Sequence, residues 1–396
     1  MPEKRVVLRN CGIINPGLVS SYLEKEGFKA LQKARELGPE GVIGEVKASG
    51  LRGRGGAGFP CGLKWEGARK SPGEEKYAIC NADEGEVGTF KDRYILQNDP
   101  FTLVEGLAIA GYAVGANKGF IYLRAEYRRL LGQLQNAIDQ CRAYLPGFSI
   151  EIREGAGAYV CGEESALMES IEGKRGESRY RPPFPTIAGL FGKPTTISNV
   201  ETLMNIPPLL LHGAGWFSQM GTERSKGTKV FSLSGDVARP GVYEMVMGST
   251  LRELVEGLGQ ARDIKLVQVG GATGRLLPYD KIDAPLAFEG ILGAGAVTVF
   301  NTSRDIIDIV YRTMEFLAEE SCGKCTPCRQ GTEVLVEMLE RFRRGAGSKK
   351  DLKAFGPLAG AMMASSLCGL GQAAPFAVMD SLEYFPEAFG GRLGDN

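Results

Sequence analysis

Between residues 76 and 172, short apolar runs alternate with longer segments whose apolar positions recur every three or four residues. Residues 76–81, 120–124 and 148–153 read as strands, and 103–114, 127–144 and 163–172 as helices. This order predicts a largely parallel α/β layer with ligands at the edge where its strands end. Residues 1–60 show only a helix around 31–37 and a glycine loop, and the Pro- and Gly-rich stretch 176–208 reads as a long ordered loop. Residues 229–237 and 241–247 form a hairpin pattern around Ala-Arg-Pro-Gly. A short helix at 250–258 and strands at 264–269 and 296–300 complete a small α+β module. From Asp305 the period is helical: Ile306, Ile309, Val310, Phe316 and Leu317 mark one face, and Val334, Leu335, Met338 and Leu339 the next. A third helix is expected before Cys368.

Formal net charge is zero, which removes any electrostatic case for nucleic acid or an anionic membrane. No apolar run reaches membrane-spanning length: the best, 104–123, contains Glu105, Asn117 and Lys118. The first residues lack an apolar signal core. Nine cysteines without a signal point to a reducing, cytoplasmic setting and to thiols or metal ligands. Glycine is high, 55 of 396 residues, and gathers in specific loops where backbone can approach a ligand closely.

Cys322, Cys325 and Cys328 stand in C-x2-C-x2-C spacing, and Cys368 follows forty positions later. Three thiolates on one tight loop plus a remote fourth match the corners of a cubane iron–sulfur cluster. A structural zinc or plain buried thiols are the competing readings, although zinc sites favour paired C-x2-C units or histidines. Thr326 suits a helix cap and Pro327 a first turn, which would place Cys328 at a helix N-terminus.

Three loops carry further chemistry. Gly53-Arg54-Gly55-Gly-Ala-Gly58 matches G-x-G-x-x-G, but no strand reads before it and Pro60 follows in place of a helix-opening run. It reads either as a phosphate or flavin cradle, with Arg54 and Lys64 as ligands, or as a flexible surface loop. Residues 155–162 lie between a strand and a helix, where backbone N–H groups meet an anion; Glu163 and Glu164 equally suit the helix dipole alone. Asn81-Ala-Asp83-Glu84-Gly-Glu86 places three carboxylates after a strand, for a metal, a ribose or a base edge, or as a solvated turn.

Together, the runs at 50–59, 80–86, 155–164, 181–185, 198–202 and 321–329 resemble the NADH-binding flavoprotein subunit of respiratory complex I and its relatives in soluble NAD-linked hydrogenases and formate dehydrogenases. The resemblance covers nearly the whole chain, in order. It implies a Rossmann-like FMN domain (61–220) after a lead-in (1–60), a ubiquitin-like module (225–303) and a C-terminal helical bundle with [4Fe-4S] (304–396). By motif, Gly53, Arg54, Gly55, Lys64, Asn81, Asp83, Tyr159, Gly162, Glu163 and Asn199 would line FMN. Phe59 and Phe184 would sandwich the adenine of NADH, with Glu86, Glu164 and Arg181 on the rest. Cys322, Cys325, Cys328 and Cys368 would hold the cluster. Hydride would pass from NADH to FMN, and single electrons onward through the cluster to a thioredoxin-like [2Fe-2S] subunit and a larger multi-cluster subunit. Reverse or bifurcating flow is the alternative within the family, and a nucleotide-binding scaffold with structural zinc is the alternative outside it. Glu86 is expected to disfavour NADPH. Three positions depart from the family pattern: Cys61 for Thr, Gly67 for an aromatic, and Arg181 for Lys.

Overall fold

A computed structural model describes residues 3–394. The first sheet is parallel, with strands β1 (Tyr77–Ala82), β2 (Lys118–Leu123), β3 (Ser149–Glu154) and β4 (Thr195–Asn199) in the order β3-β2-β1-β4. Strands β1 and β2 are almost entirely buried, as expected for a parallel sheet covered on both faces. The helix Pro100–Val114 packs beside them. Asp99 caps it by accepting from Thr102 N at 3.0 Å, Pro100 opens it, and Gly115 at φ 83° ends it. At Gly106 it lies so close to the helix Val200–Met204 that an added Cβ would sit 2.4 Å from the Leu203 carbonyl oxygen.

Strand β4 corrects the loop expected at 176–208. Its sequence, Thr-Thr-Ile-Ser-Asn, has no apolar run, yet four of its five residues are buried. Local partners make this burial tolerable: Thr195 Oγ1 accepts from Leu190 N and donates to the Lys193 carbonyl, both at 2.9 Å. Two short helices, Val200–Met204 and Ile206–His212, follow it.

Helices also extend further than the pattern indicates. Lys29–Ala48 holds two helical pieces that meet at a kink at Gly38 (φ 71°) before Pro39, so a second helical piece follows the one expected around 31–37. Cys61–Lys70 starts directly at Pro60, which corrects the expectation that no helix follows the first glycine loop. Lys91–Asn98 is a further helix that the pattern does not reveal.

The second sheet runs β6-β5-β9-β7-β8. It contains the expected hairpin β5 (Thr228–Gly235) and β6 (Gly241–Val246), then β7 (Ile264–Val269), the unforeseen β8 (Arg275–Pro278), and β9 (Ala296–Asn301). Buried charges join it to the rest. Lys91 pairs with Asp92 at 2.7 Å and Glu201 at 3.0 Å, and Glu201 also pairs with Lys229 of β5 at 2.5 Å. Glu244 of β6 accepts the backbone N–H groups of Val6, Val7 and Leu8, each at 2.9 Å, and so ties the N-terminal segment to this sheet.

Helices Ile306–Glu319, Thr326–Arg343, Lys349–Ser365 and Phe376–Tyr384 form the C-terminal bundle around Leu335, Met338, Phe342, Phe355 and Phe389. Asp380 receives Arg275 of β8 at 2.6 Å. Among the described residues no helix is long and apolar enough to cross a membrane.

Candidate functional site

Strand order places the site. Chain direction takes β1 to β2 and β3 on one side, then returns to β4 on the other, so the β1/β4 boundary is the topological switch point where ligands enter such sheets. Asn81 and Asn199 face each other in register there. Asn81 Nδ2 donates to the Gly162 carbonyl at 2.9 Å and Asn199 Nδ2 to Asp92 at 2.7 Å, so both amides are held in fixed orientation.

A cleft opens over this boundary, about 1740 Å³ including its open side. Of the residues expected for FMN and NADH, Gly53, Gly55, Phe59, Lys64, Asn81, Gly162, Glu163, Glu164, Arg181, Phe184 and Asn199 line it. The first glycine loop forms one wall. It is closed at its base by Gly53 N to the Phe59 carbonyl and Cys61 N to the Leu51 carbonyl, both at 2.9 Å. Its side chains are absent where space is tightest: a Cβ on Gly55 would sit 3.0 Å from that of Asn199. Glu163 caps the opposite helix, Glu164–Ile171, by accepting from Ser165 N and Ala166 N at 3.1 and 3.0 Å. Lys64 Nζ donates to Glu164 at 3.0 Å, and Arg181 reaches both Glu163 and Glu164 at 3.1 Å. Phe59 and Phe184 are both half-exposed within the cleft.

Four expected residues lie elsewhere. Arg54 is 1% exposed, and its guanidinium donates to the carbonyls of Arg52 at 3.0 Å, Thr228 at 3.0 Å and Lys226 at 2.5 Å. It therefore anchors the loop to β5 and offers no cation to the cleft. Glu86 is bound to the second module: it accepts from Ala272 N at 2.7 Å, Thr273 Oγ1 at 2.5 Å and Tyr159 OH at 2.8 Å. Tyr159 thereby stands between Glu86 and the bundle, where its N–H donates to Glu320 at 2.9 Å. Asp83 sits behind Gly162, whose Cβ would lie 3.9 Å from Asp83 Oδ2. That oxygen is buried with no partner among the described residues, and burial pushes the carboxyl up to about 7. A buried acceptor without a donor beside a glycine-walled cleft fits a hydroxyl-bearing ligand such as a ribityl chain. Cys61, Thr186, Ser198, Thr202 and Gly369 also line the cleft. Cys61 stands out in the sequence by its departure from the family, whereas Gly369 has no signal except its place beside Cys368.

Cys322, Cys325, Cys328 and Cys368 line one small cavity. Cys325 precedes the helix Thr326–Arg343 as its N-cap, so Thr326 is the first helical residue and not the cap, and Cys328 lies in the first turn. Cys368 likewise precedes the helix Gly369–Ala373. Burial, together with the neighbouring thiols, pushes Cys328 up to about 11. Leu367 N donates to Cys325 Sγ at 3.5 Å, and Ser321 Oγ lies 3.3 Å from Cys328 Sγ. Four thiols thus surround one space, which suits a cluster with one iron per thiolate.

Comparison with known proteins agrees with this geometry. Residues 46–208 match a family described as the Nuo51 FMN-binding domain, and 308–392 match the NADH-ubiquinone oxidoreductase-F iron-sulfur binding region. The chain is 42% identical to the second F-type subunit of NADH-quinone oxidoreductase in Rhizobium meliloti, over 97% of this chain and 96% of that one. It is 41% identical to the NADP-reducing hydrogenase subunit HndC of Solidesulfovibrio fructosivorans, over 99% of this chain and 84% of that one. A crystal structure of NAD+-reducing [NiFe]-hydrogenase in the H2-reduced state superposes with a TM-score of 0.91 at 40% identity, covering 100% of this chain and 68% of the other.

Proposed function

The chain belongs to the family of NADH-binding flavoprotein subunits shared by NADH-quinone oxidoreductases and NAD-reducing hydrogenases, and from that premise we propose how its residues divide the work. As a member it is an oxidoreductase subunit that works with NADH, FMN and [4Fe-4S]. Bound FMN accepts a hydride and a [4Fe-4S] cluster takes one electron, which is the chemistry the protein itself lacks.

Asn81, Asn199, Lys64 and the backbone at Gly53, Gly55 and Gly162 would hold FMN at the strand ends, with Asp83 as acceptor behind Gly162. Phe59 and Phe184 would grip the adenine, and Arg181 and Glu164 the polar middle of NADH. Cys322, Cys325, Cys328 and Cys368 would hold the cluster.

One observation carries this division: the two chambers share a wall. In the short turn Tyr159–Gly162, Val160 faces the cysteine cavity while Gly162 faces the cleft. On the other segment, Cys368 and Leu370 face the cavity while Gly369 between them faces the cleft. Electrons leaving the cleft have only these few residues to cross.

The chain would work within a larger assembly, as its relatives are named subunits. The partners proposed are a thioredoxin-like [2Fe-2S] subunit and a multi-cluster subunit; a purified native complex without them would contradict this. Relatives named for NAD or NADP reduction favour a second reading, in which electrons run from the cluster to the nucleotide.

Anaerobic absorbance and EPR spectra decide between them. Prompt flavin bleaching by NADH with a reduced [4Fe-4S] signal is the expected result. Bleaching without that signal, in a protein whose iron content is full, supports the second reading, which NAD+ reduction by reduced methyl viologen then tests. Purification without flavin or iron would overturn both.

A further inference from the structure

Ser178 lies in the cysteine cavity although it belongs to neither cysteine segment. It is 1% exposed, and its Oγ is buried without a hydrogen-bond partner among the described residues. Leaving such a buried hydroxyl unmatched is unfavourable, so a partner is required.

The backbone around it is fixed on both sides. Lys324, inside the Cys-Gly-Lys-Cys run, donates to the Ser178 carbonyl at 2.8 Å and pairs with Glu177 at 3.0 Å. Arg179 N donates to Ser165 Oγ at 2.9 Å, and Arg175 donates to the Cys322 carbonyl at 2.8 Å. The hydroxyl is therefore held at the cavity by its neighbours and does not arrive there by loop drift. Ser321 and Leu367 already point at Cys328 and Cys325, and Ser366 Oγ is a further buried hydroxyl without a partner among the described residues.

We propose that the Ser178 hydroxyl donates a hydrogen bond to a sulfur of the cluster held by Cys322, Cys325, Cys328 and Cys368, and thereby raises the reduction potential of that cluster. A donor stabilises the more negative, reduced state, and hydrogen bonds to sulfur are one of the levers that set iron–sulfur potentials. The inference rests on the reading of this cavity as a [4Fe-4S] site. Ser178 comes from the segment that also carries Arg181 and Phe184 to the cleft, so the dinucleotide-binding part of the chain would tune the cluster.

The test is an EPR-monitored redox titration of the assembled protein and of its Ser178→Ala and Ser178→Thr variants. Ser178→Ala is expected to lower the midpoint, shifting the one-electron equilibrium about fivefold toward the oxidised cluster, or about 40 mV. Ser178→Thr keeps the donor and should restore the parent value. The reduced parent should also show an exchangeable-proton coupling, by ENDOR in H2O against D2O, that Ser178→Ala lacks. Ser178→Gly, equally without a hydroxyl, replaces the Ala variant if that chain fails to assemble its cluster. An unshifted midpoint with the same proton couplings in a hydroxyl-free variant would overturn the inference and leave the proposed function standing. A parent without a [4Fe-4S] signal would overturn both.

Discussion

Arg54 and Lys64 flank the same glycine loop but face opposite ways. Lys64 reaches into the cleft to Glu164, whereas the Arg54 guanidinium supplies three backbone carbonyls outside it. Arg54→Ala is therefore expected to lower the thermal midpoint, since each buried acceptor left without a donor costs about 1 kcal/mol or more, with little change in FMN affinity. Lys64→Ala should do the converse, weakening FMN about tenfold while the midpoint holds; flavin fluorescence titration and calorimetry on both variants check the pair. Glu86 is held by Ala272, Thr273 and Tyr159, while Glu164 lines the cleft paired with Lys64 and Arg181. Glu86→Gln is expected to leave the ratio of kcat/KM for NADPH and NADH unchanged, since three donors hold its carboxylate; a raised share of NADPH use would give Glu86 the role of repelling a 2′-phosphate. Residue type and motif place these side chains near the site, but they do not tell which way a long side chain turns. That depends on carbonyls and partners 100 to 187 positions away in sequence.

Elements with strong periodicity are legible in the sequence, and those with polar or interrupted sequences are not. The strands β1 to β3 and the bundle helices announce themselves through apolar spacing. Strand β4 does not, because Thr195, Thr196 and Ser198 are polar residues: Thr195 finds local partners, while Thr196 Oγ1 is buried with none among the described residues. Yet β4 supplies one side of the switch point, so the site's residues could be inferred by motif and still not be placed. Helix packing behind it is close: Gly106 leaves no room for a methyl group against the Leu203 carbonyl. Gly106→Ala should destabilise the fold by about 1–3 kcal/mol, the usual range for overpacking, and urea unfolding would register it. A variant as stable as the parent would mean that the helix Val200–Met204 shifts freely.

Across the whole molecule, stability should depend on pH in a definite direction. Burial pushes Asp83 and Glu244 each up to about 7, above the range of exposed carboxylates. The folded chain keeps these protons where the unfolded chain has lost them. Their contribution is fully present below the unfolded values, near pH 4, and is lost as pH rises through about 7. Calorimetry from about pH 5 to about pH 8 should show a falling midpoint, and Glu244→Gln should flatten the slope; a rising midpoint would contradict the assignment. Glu244 also sets a clock. Three of its partners, Val6, Val7 and Leu8, precede it by 236 to 238 residues. At about 5–20 residues per second, a ribosome makes them roughly 12–50 seconds before it makes Glu244. Through that interval their N–H groups have only water or a chaperone to satisfy them, so this segment is locked into place only after Glu244 has been made.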